Sequence, residues 1–278
     1  MARWVRYFKV SRSGYYEYFA TREVRNKKQK ALKHKIKQIF DESEGEYGPD
    51  RICGIIRKQG GKASYRKVSR YMADMNLNSV HNSNRTRSLT DSRKARDDTL
   101  HPNLVRGQEF DRPYQAVCSD ITYLKSGEGW EYLCVVKDIA TGEILGESMS
   151  ARMTKELVIQ AYRNAHTRHK LPPGTIFHSD RGSQYTSKAF RKLLQKYGIQ
   201  QSFSRVGMPG DNSWAESFFA TLKKACIRFK RFDTREDLSA EVFRWIESHY
   251  NTGRVQKRLG YRSPREYREL LMSNPMVA

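Results

Sequence analysis

Two kinds of periodicity divide the chain. Up to about residue 80 the apolar positions recur at helical spacing. Thr21–Phe40 predicts a long basic helix with a sparse stripe of Val24, Leu32, Ile36, Ile39 and Phe40 among many lysines. Pro49 suits the first position of a second helix that runs to about Lys58 and stops at Gln59-Gly60-Gly61. Ser64 fits as the N-cap of a third, Tyr65 to about Met75, with Val68, Tyr71 and Met72 on its apolar face. Helix, glycine-containing turn, helix is the outline of a helix-turn-helix. His81–Leu100 is polar and charged and reads as an exposed linker. From Tyr114 the pattern changes. Tyr114–Leu124, Tyr132–Ile139 and Glu143–Met149 predict strands, with Thr141-Gly142 turning between the last two. Lys155–Lys170 predicts a helix with Leu157, Val158, Ala161, Tyr162 and Ala165 on one side. A strand at Thr175–Ser179, a helix at Ser187–Tyr197 ended by Gly198, a strand at Ile199–Ser204 and a long helix at Asn212–Phe229 follow. Thr234–His249 is a last amphipathic helix before a polar tail. The order βββαβαβα describes an α/β fold, one mixed sheet flanked by helices.

Charge adds a partner to this outline. The chain of 278 residues is 38% hydrophobic and carries a formal charge of +22, and its first 40 residues hold 12 basic side chains against 2 acidic ones. Such a balance points to a polyanion. Phosphate contacts then suit the basic arm, and Arg66, Lys67 and Arg70 of the third helix are available to DNA. No segment approaches the ~20 apolar residues of a spanning helix, and Met1–Val10 lacks the apolar run of a signal peptide. A cytoplasmic, nucleoid-associated location is expected, with no membrane partner. Cys53, Cys118, Cys134 and Cys226 form no C-x-x-C pair and read as buried thiols. His166 and His169 lack a second ligand pair, so a solvated basic helix end fits them better than zinc.

Three acids stand out by context. Asp120 lies in Ser119-Asp120-Ile121-Thr122-Tyr123, inside the first strand; Asp180 follows the fourth strand in His178-Ser179-Asp180-Arg181-Gly182-Ser183-Gln184-Tyr185. Glu216 sits one turn into its helix, with 59 residues between the first two acids and 35 between the second pair. Carboxylates brought together repel one another unless a cation holds them. Hard oxygen ligands suit Mg²⁺, and two such ions clamp the attacking and leaving oxygens of a phosphoryl transfer. Lys223, almost two turns beyond Glu216, shares its helical face and could reach a phosphate, while Trp214, Phe218, Phe219 and Leu222 supply packing. Gly207, Pro209 and Gly210 predict a mobile loop before this helix, so that Glu216 becomes ordered on DNA.

Together with Asp211-Asn212 and Ala215-Glu216-Ser217-Phe218-Phe219…Leu222-Lys223, these motifs resemble the DDE integrase core of bacterial insertion-sequence transposases. The 35-residue gap and Lys223 resemble the DD(35)E group, and specifically the OrfB-type integrase core of the insertion-sequence family numbered three. Tyr250-Asn251…Arg254…Leu259-Gly260-Tyr261…Ser263-Pro264 resembles the C-terminal signature of that family, and Tyr47-Gly48 with the following helices its helix-turn-helix. The likeness runs from about residue 34 onward. It departs at Gln256-Lys257, where the family often has His-Ser, and at Trp214, bulkier than the usual occupant.

The resemblance implies a ribonuclease-H-like fold with Asp120, Asp180 and Glu216 as metal-binding catalytic acids. It implies two Mg²⁺ ions, with Mn²⁺ as a substitute. Lys223, Arg66, Lys67, Arg70, Arg181 and Arg254 are expected at the DNA, whose terminal inverted repeats and target would be bound by a homodimer or larger assembly. An upstream frameshift-fusion product is a further expected partner. The expected division is a basic arm over 1–45, a helix-turn-helix over 46–80, a linker over 81–108, the catalytic core over 109–229 and a C-terminal helical extension over 230–278. Water attack would free a 3′ end, whose hydroxyl then attacks a second phosphodiester. The rival readings are a ribonuclease-H-like nuclease that cuts without joining and a DNA-binding regulator with an inert core.

Overall fold

The computed structural model describes residues 11–80, 102–205 and 208–273. They fall into two compact units, one from the first 82 residues and one from the remainder. The expected linker His81–Leu100 and Gly207 lie outside the described residues.

The first unit is three helices, α1 (Arg12–Glu42), α2 (Pro49–Lys58) and α3 (Tyr65–Asp74). The first begins earlier than its apolar stripe suggests, because Ser11 caps it by accepting from Gly14 N at 3.0 Å. Ile36 and Ile39 of α1, Ile52, Cys53 and Ile56 of α2, and Val68, Tyr71 and Met72 of α3 close a small shared core. Proline opens α2, and Ser64 caps α3 by accepting from Lys67 N at 3.4 Å, as the sequence predicts. Lys33 ties α1 to α3 through Asp74 at 2.8 Å.

The second unit is built on β1 (Ala116–Ser126), β2 (Gly129–Asp138), β3 (Ile144–Ser150), β4 (Ile176–Ser179) and β5 (Gln200–Phe203), in the order β3-β2-β1-β4-β5. β1, β2 and β3 pair antiparallel, whereas β4 and β5 join them in parallel. On one face lie α4 (Lys155–His169), α5 (Ser183–Thr186) and α6 (Lys188–Lys196), whose buried side chains meet Val117, Val136, Leu145 and Phe177. Gly146 is required there: a Cβ would collide with the backbone of Ala161 and Ala165, so β3 and α4 approach as only glycine permits. The other face carries α7 (Ser213–Leu222), which continues through a wider turn at Lys223–Ile227, and α8 (Arg235–Arg244), continued to Tyr250. Phe218, Leu222, Leu238, Val242 and Trp245 pack onto Leu124, Leu133 and Val135.

Three local expectations change. The polar tail holds α9 (Pro264–Ser273), started by a reciprocal capping box in which Ser263 N donates to Glu266 Oε2 at 3.0 Å and Glu266 N to Ser263 Oγ at 3.2 Å. Serine-Pro-x-Glu was a readable start signal, and Pro264 and Leu271 of this helix are buried, while its arginines reach buried and half-buried glutamates. Residues 102–105, expected as linker, run along the edge of β5: Phe203 N donates to Pro102 O at 2.9 Å and Leu104 N to Ser202 Oγ at 2.9 Å. All four cysteines are free and buried, and burial pushes Cys118 and Cys134 up to about 12. His169 is packed, not solvated. Its Nδ1 meets the Tyr114 hydroxyl at 3.2 Å, and burial followed by the charges of Arg268, Arg168 and Arg265 hold it down at about 4.

Candidate active site

β1 pairs with β4 at Ala116↔Ile176, Val117↔Phe177 and Cys118↔His178. Extending that register by two rungs sets Asp120 opposite Asp180. The two acids therefore emerge side by side where the parallel ladder ends, the place at which open α/β sheets form sites. β4 is a short strand, buried from Phe177 to Ser179, that stops because Asp180 turns the chain: its Oδ1 accepts from Gly182 N at 2.9 Å. A Cβ on Gly182 would press on that oxygen at 3.0 Å and on Gln184 Oε1 at 2.9 Å. The next helical turn buries Tyr185, whose hydroxyl meets Ser119 Oγ at 2.9 Å. The segment after Asp180 is thus bonded to the residue preceding Asp120.

Glu216 is exposed in the first turn of α7. The start of this helix is tied to the sheet. Asn212 Nδ2 donates to Ser119 O at 3.2 Å, and the buried Lys137 of β2 donates to Trp214 O at 2.7 Å. Asp211 takes both Arg205 Nε at 3.0 Å and the second guanidinium nitrogen at 3.1 Å. Burial raises Asp211, but these hydrogen bonds outweigh it and hold its carboxyl below the usual range. Asp211 through Arg205, Asn212 through Ser119 O, and Lys137 on the Trp214 carbonyl tie the start of this helix to the rest of the unit.

His178 completes the brace. Fully buried, it meets Ser202 Oγ through Nδ1 at 2.8 Å, and Ser204 Oγ and Asp211 O through Nε2, both at 3.1 Å. Burial lowers it to about 4, against the opposing pull of Asp211. The unfolded chain protonates near the ordinary 6.5, so it binds the proton first and stability falls as pH drops from about 6.5 towards 4. A slope of about 1.4 kcal/mol per pH unit gives a loss of about 2 kcal/mol by pH 5. Between pH 7 and pH 5, urea melts should show a stability change about 2 kcal/mol more unfavourable in the native chain than in His178→Gln, the contributions of His169 and Asp120 being common to both.

Electrostatics joins the three acids. Burial raises Asp120 to about 6; Ile121 N, at 2.8 Å, opposes that rise, Asp180 and Glu216 add to it, and Lys223 lowers it. Lys223 is itself lowered by burial and raised again by Asp120. It stands at the first residue of the wider turn, the kind of helical irregularity that often marks functional sites. Among the described residues, however, no three of His, Cys, Asp and Glu stand close enough to hold one ion as they are. The acids share a field without forming a closed ligand cage. The donor chemistry fits a hard divalent cation, whose charge would relieve the repulsion on Asp120.

The expected DNA contacts separate into groups. Arg66, Lys67 and Arg70 are exposed on α3, while Val68, Tyr71 and Met72 of the same helix are buried. Arg181 flanks Asp180 and donates Nε to Ser204 O at 3.0 Å. Arg254 is corrected: it is only 3% exposed, with burial lowering its guanidinium to about 10, so it lies in the interior and not on a DNA-facing surface. The sequence reading assigned no bracing role to Lys137, His178, Asn212 or Tyr185. A lysine inside an apolar strand was the available signal for Lys137.

A family model described as Integrase core domain matches residues 111–209, and a second of that description matches 197–264. One described as HTH-like domain matches 27–85. The transposase for insertion sequence element IS904 of Lactococcus lactis subsp. lactis (strain IL1403) is 37% identical over 85% of this chain and 92% of its own length. Transposase InsF for insertion sequence IS3A of Escherichia coli (strain K12) is 34% identical over 94% of this chain and 91% of its own. Among solved structures, a chain of the simian T-cell lymphotropic virus intasome in complex with PP2A regulatory subunit B56 gamma aligns at TM-score 0.50 and 14% identity. It covers 80% of this chain and 74% of that one, a likeness of ribonuclease-H-like fold.

Proposed function

This chain belongs to the IS3-family insertion-sequence transposases and is an enzyme of the DDE type, and on that premise we propose that Asp120, Asp180 and Glu216 hold the divalent cations with which it cuts and joins DNA. The observation that supports the assignment is the β1–β4 register that carries Asp120 towards Asp180, together with an Asp120 carboxyl whose pKa is raised by burial and then by Asp180 and Glu216, against Lys223. Two Mg²⁺ ions, or Mn²⁺ in their place, would supply Lewis-acid activation of the attacking oxygen and stabilise the leaving one. The remaining work falls to the chain. Lys223 holds a phosphate beside Asp120. Asn212, Lys137 and Asp211 fix the helix that presents Glu216. Rotation of the exposed Asp180 and Glu216 side chains closes the cage.

No side chain is assigned as nucleophile. The serine hydroxyls that precede Asp180 and Asp120 are engaged in the protein, Ser179 Oγ with Asp180 O at 2.9 Å and Ser119 Oγ with Tyr185, and the two-ion reaction needs no covalent protein–DNA intermediate. Water therefore attacks the phosphodiester at an element end and frees a 3′-hydroxyl, which attacks a target phosphodiester in turn. Arg66, Lys67 and Arg70 on α3 dock duplex DNA, and the basic face of α1 adds phosphate contacts. Two ends must be held together, so the acting form is a homodimer or larger assembly, with an upstream frameshift-fusion product as a further partner. Residues 1–45, 46–80, 81–108, 109–229 and 230–278 serve as arm, helix-turn-helix, linker, core and extension. Among the described residues no helix is long and apolar enough to cross a membrane.

The test uses DNA flanking the gene, incubated with the protein and Mg²⁺ and resolved on a sequencing gel. Defined 3′ nicks together with joined strands are expected. Cutting without joining would establish the nuclease reading instead, and binding with neither the regulator.

A further inference from the structure

Beyond Asp120, β1 outruns its parallel neighbour. Its pairing with β4 ends at Cys118, while its pairing with β2 continues to Ser126↔Gly129. The far part of this hairpin carries two large aromatic side chains in water, Tyr123 at 57% and Trp130 at 50% exposure. Their rings lie 5.2 Å apart at 88°. Each has a cation over it: Lys223 Nζ is 4.9 Å from the centre of the Tyr123 ring, and Lys125 Nζ is 5.9 Å from that of Trp130. Tyr123 stands three residues beyond Asp120 on the same strand, and Lys223 both lies over Tyr123 and acts on Asp120.

The hairpin is also held firmly. Gly127 N donates to Phe232 O at 2.8 Å, Arg235 N donates to Glu128 Oε2 at 2.9 Å, and Arg235 faces Glu131 at 3.3 Å. Exposed aromatics on a fixed hairpin form a platform and not a loose patch. Aromatic faces stack on nucleobases irrespective of sequence, and ammonium groups beside them meet the backbone phosphates. A base inside a continuous duplex is already stacked on both sides, so such a platform favours a base that has left the stack.

We propose that Tyr123 and Trp130, flanked by Lys125 and Lys223, form a stacking subsite for an unpaired nucleobase of the DNA strand whose phosphate lies at the acids. The subsite rests on the reading of Asp120, Asp180 and Glu216 as the reaction centre. It holds the strand end that has parted from its complement and keeps its 3′ terminus from withdrawing between cutting and joining.

Anisotropy titrations of the full chain without divalent cation test the proposal, using a labelled blunt duplex and the same duplex with an unpaired oligothymidine 3′ tail. The tail should tighten binding roughly tenfold, within the range for base–aromatic stacking. Tyr123→Ala combined with Trp130→Ala should erase the preference while the blunt duplex binds within about twofold of the native affinity. Tyr123→Phe with Trp130→Phe should retain it. Both positions are exposed, and circular dichroism checks the fold. Equal native affinity for the two probes, a preference that survives the alanine pair, or an equal loss for both probes would overturn the subsite. Asp180→Asn should keep the tail preference in this metal-free assay. A failure of the acids as a metal centre would thus appear in strand joining and not here.

Discussion

Glu216→Gln is expected to lower both strand cleavage and joining by at least about 10³-fold, with DNA affinity nearly unchanged. The substitution keeps the shape of the side chain and removes one negative charge. Glu216 is exposed in the first turn of α7, so the fold is untouched. On the proposed reading, what is lost is a cation ligand, and with it part of the field on Asp120. Asp120→Asn and Asp180→Asn should behave alike, because the three act as one unit. Combining Asp180→Asn with Glu216→Gln should then cost little more than either alone, the non-additivity expected of groups that share a role. Quantified gel products and anisotropy on the same DNA check both halves. Independent, multiplying losses would show that the acids do separate work.

Removing both Arg265 and Arg268 by substitution with Ala is expected to destabilise the second unit by about 3–5 kcal/mol, the usual result of leaving a buried charge uncompensated. Glu143 is fully buried, with Arg268 Nε at 2.6 Å and Arg265 Nε at 3.3 Å. These bonds help attach α9 at this corner, and Arg265 also reaches Glu247 at 2.9 Å. A melting-temperature drop of roughly 10 °C should follow for a unit of this size. Adding Glu143→Leu to the double variant should restore much of the loss, since the penalty belongs to the orphaned carboxylate and not to the absence of an ion pair. A drop unchanged by that third substitution would locate the cost in packing of the arginine stems.

The same corner shows why part of the architecture was hard to read in advance. Helices α4 and α7 announce themselves by apolar positions at helical spacing, because each buries a face against the sheet; the pattern names the buried residues of α4, and Phe218, Phe219 and Leu222 of α7. Helix α9 reaches Glu143 and Glu247 through its arginines beside the buried Pro264 and Leu271, so much of its binding face looks like a solvated one in the sequence. His169 was misread for a related reason: its surroundings are arginines and a tyrosine from distant segments. Arg254 likewise carries a charge, which in a sequence argues for the surface, yet it lies inside.

What the sequence determined by itself is the inventory of chemistry: three acids in distinctive settings, a basic arm, a capped helix pair and the alternation of strands and helices. Those features depend on residue type and short-range spacing, which need no knowledge of neighbours in space. Tertiary structure alone decided which groups act on one another. Strand order places β1 between β2 and β4, and only then does the register carry Asp120 to Asp180. Only packing of α7 across the sheet brings Lys223 to Asp120 and over Tyr123, and lets Asn212 and Lys137 tie down the helix that bears Glu216. Field strength and hydrogen bonding depend on distances between residues far apart in the chain, and those distances exist only once the sheet has formed.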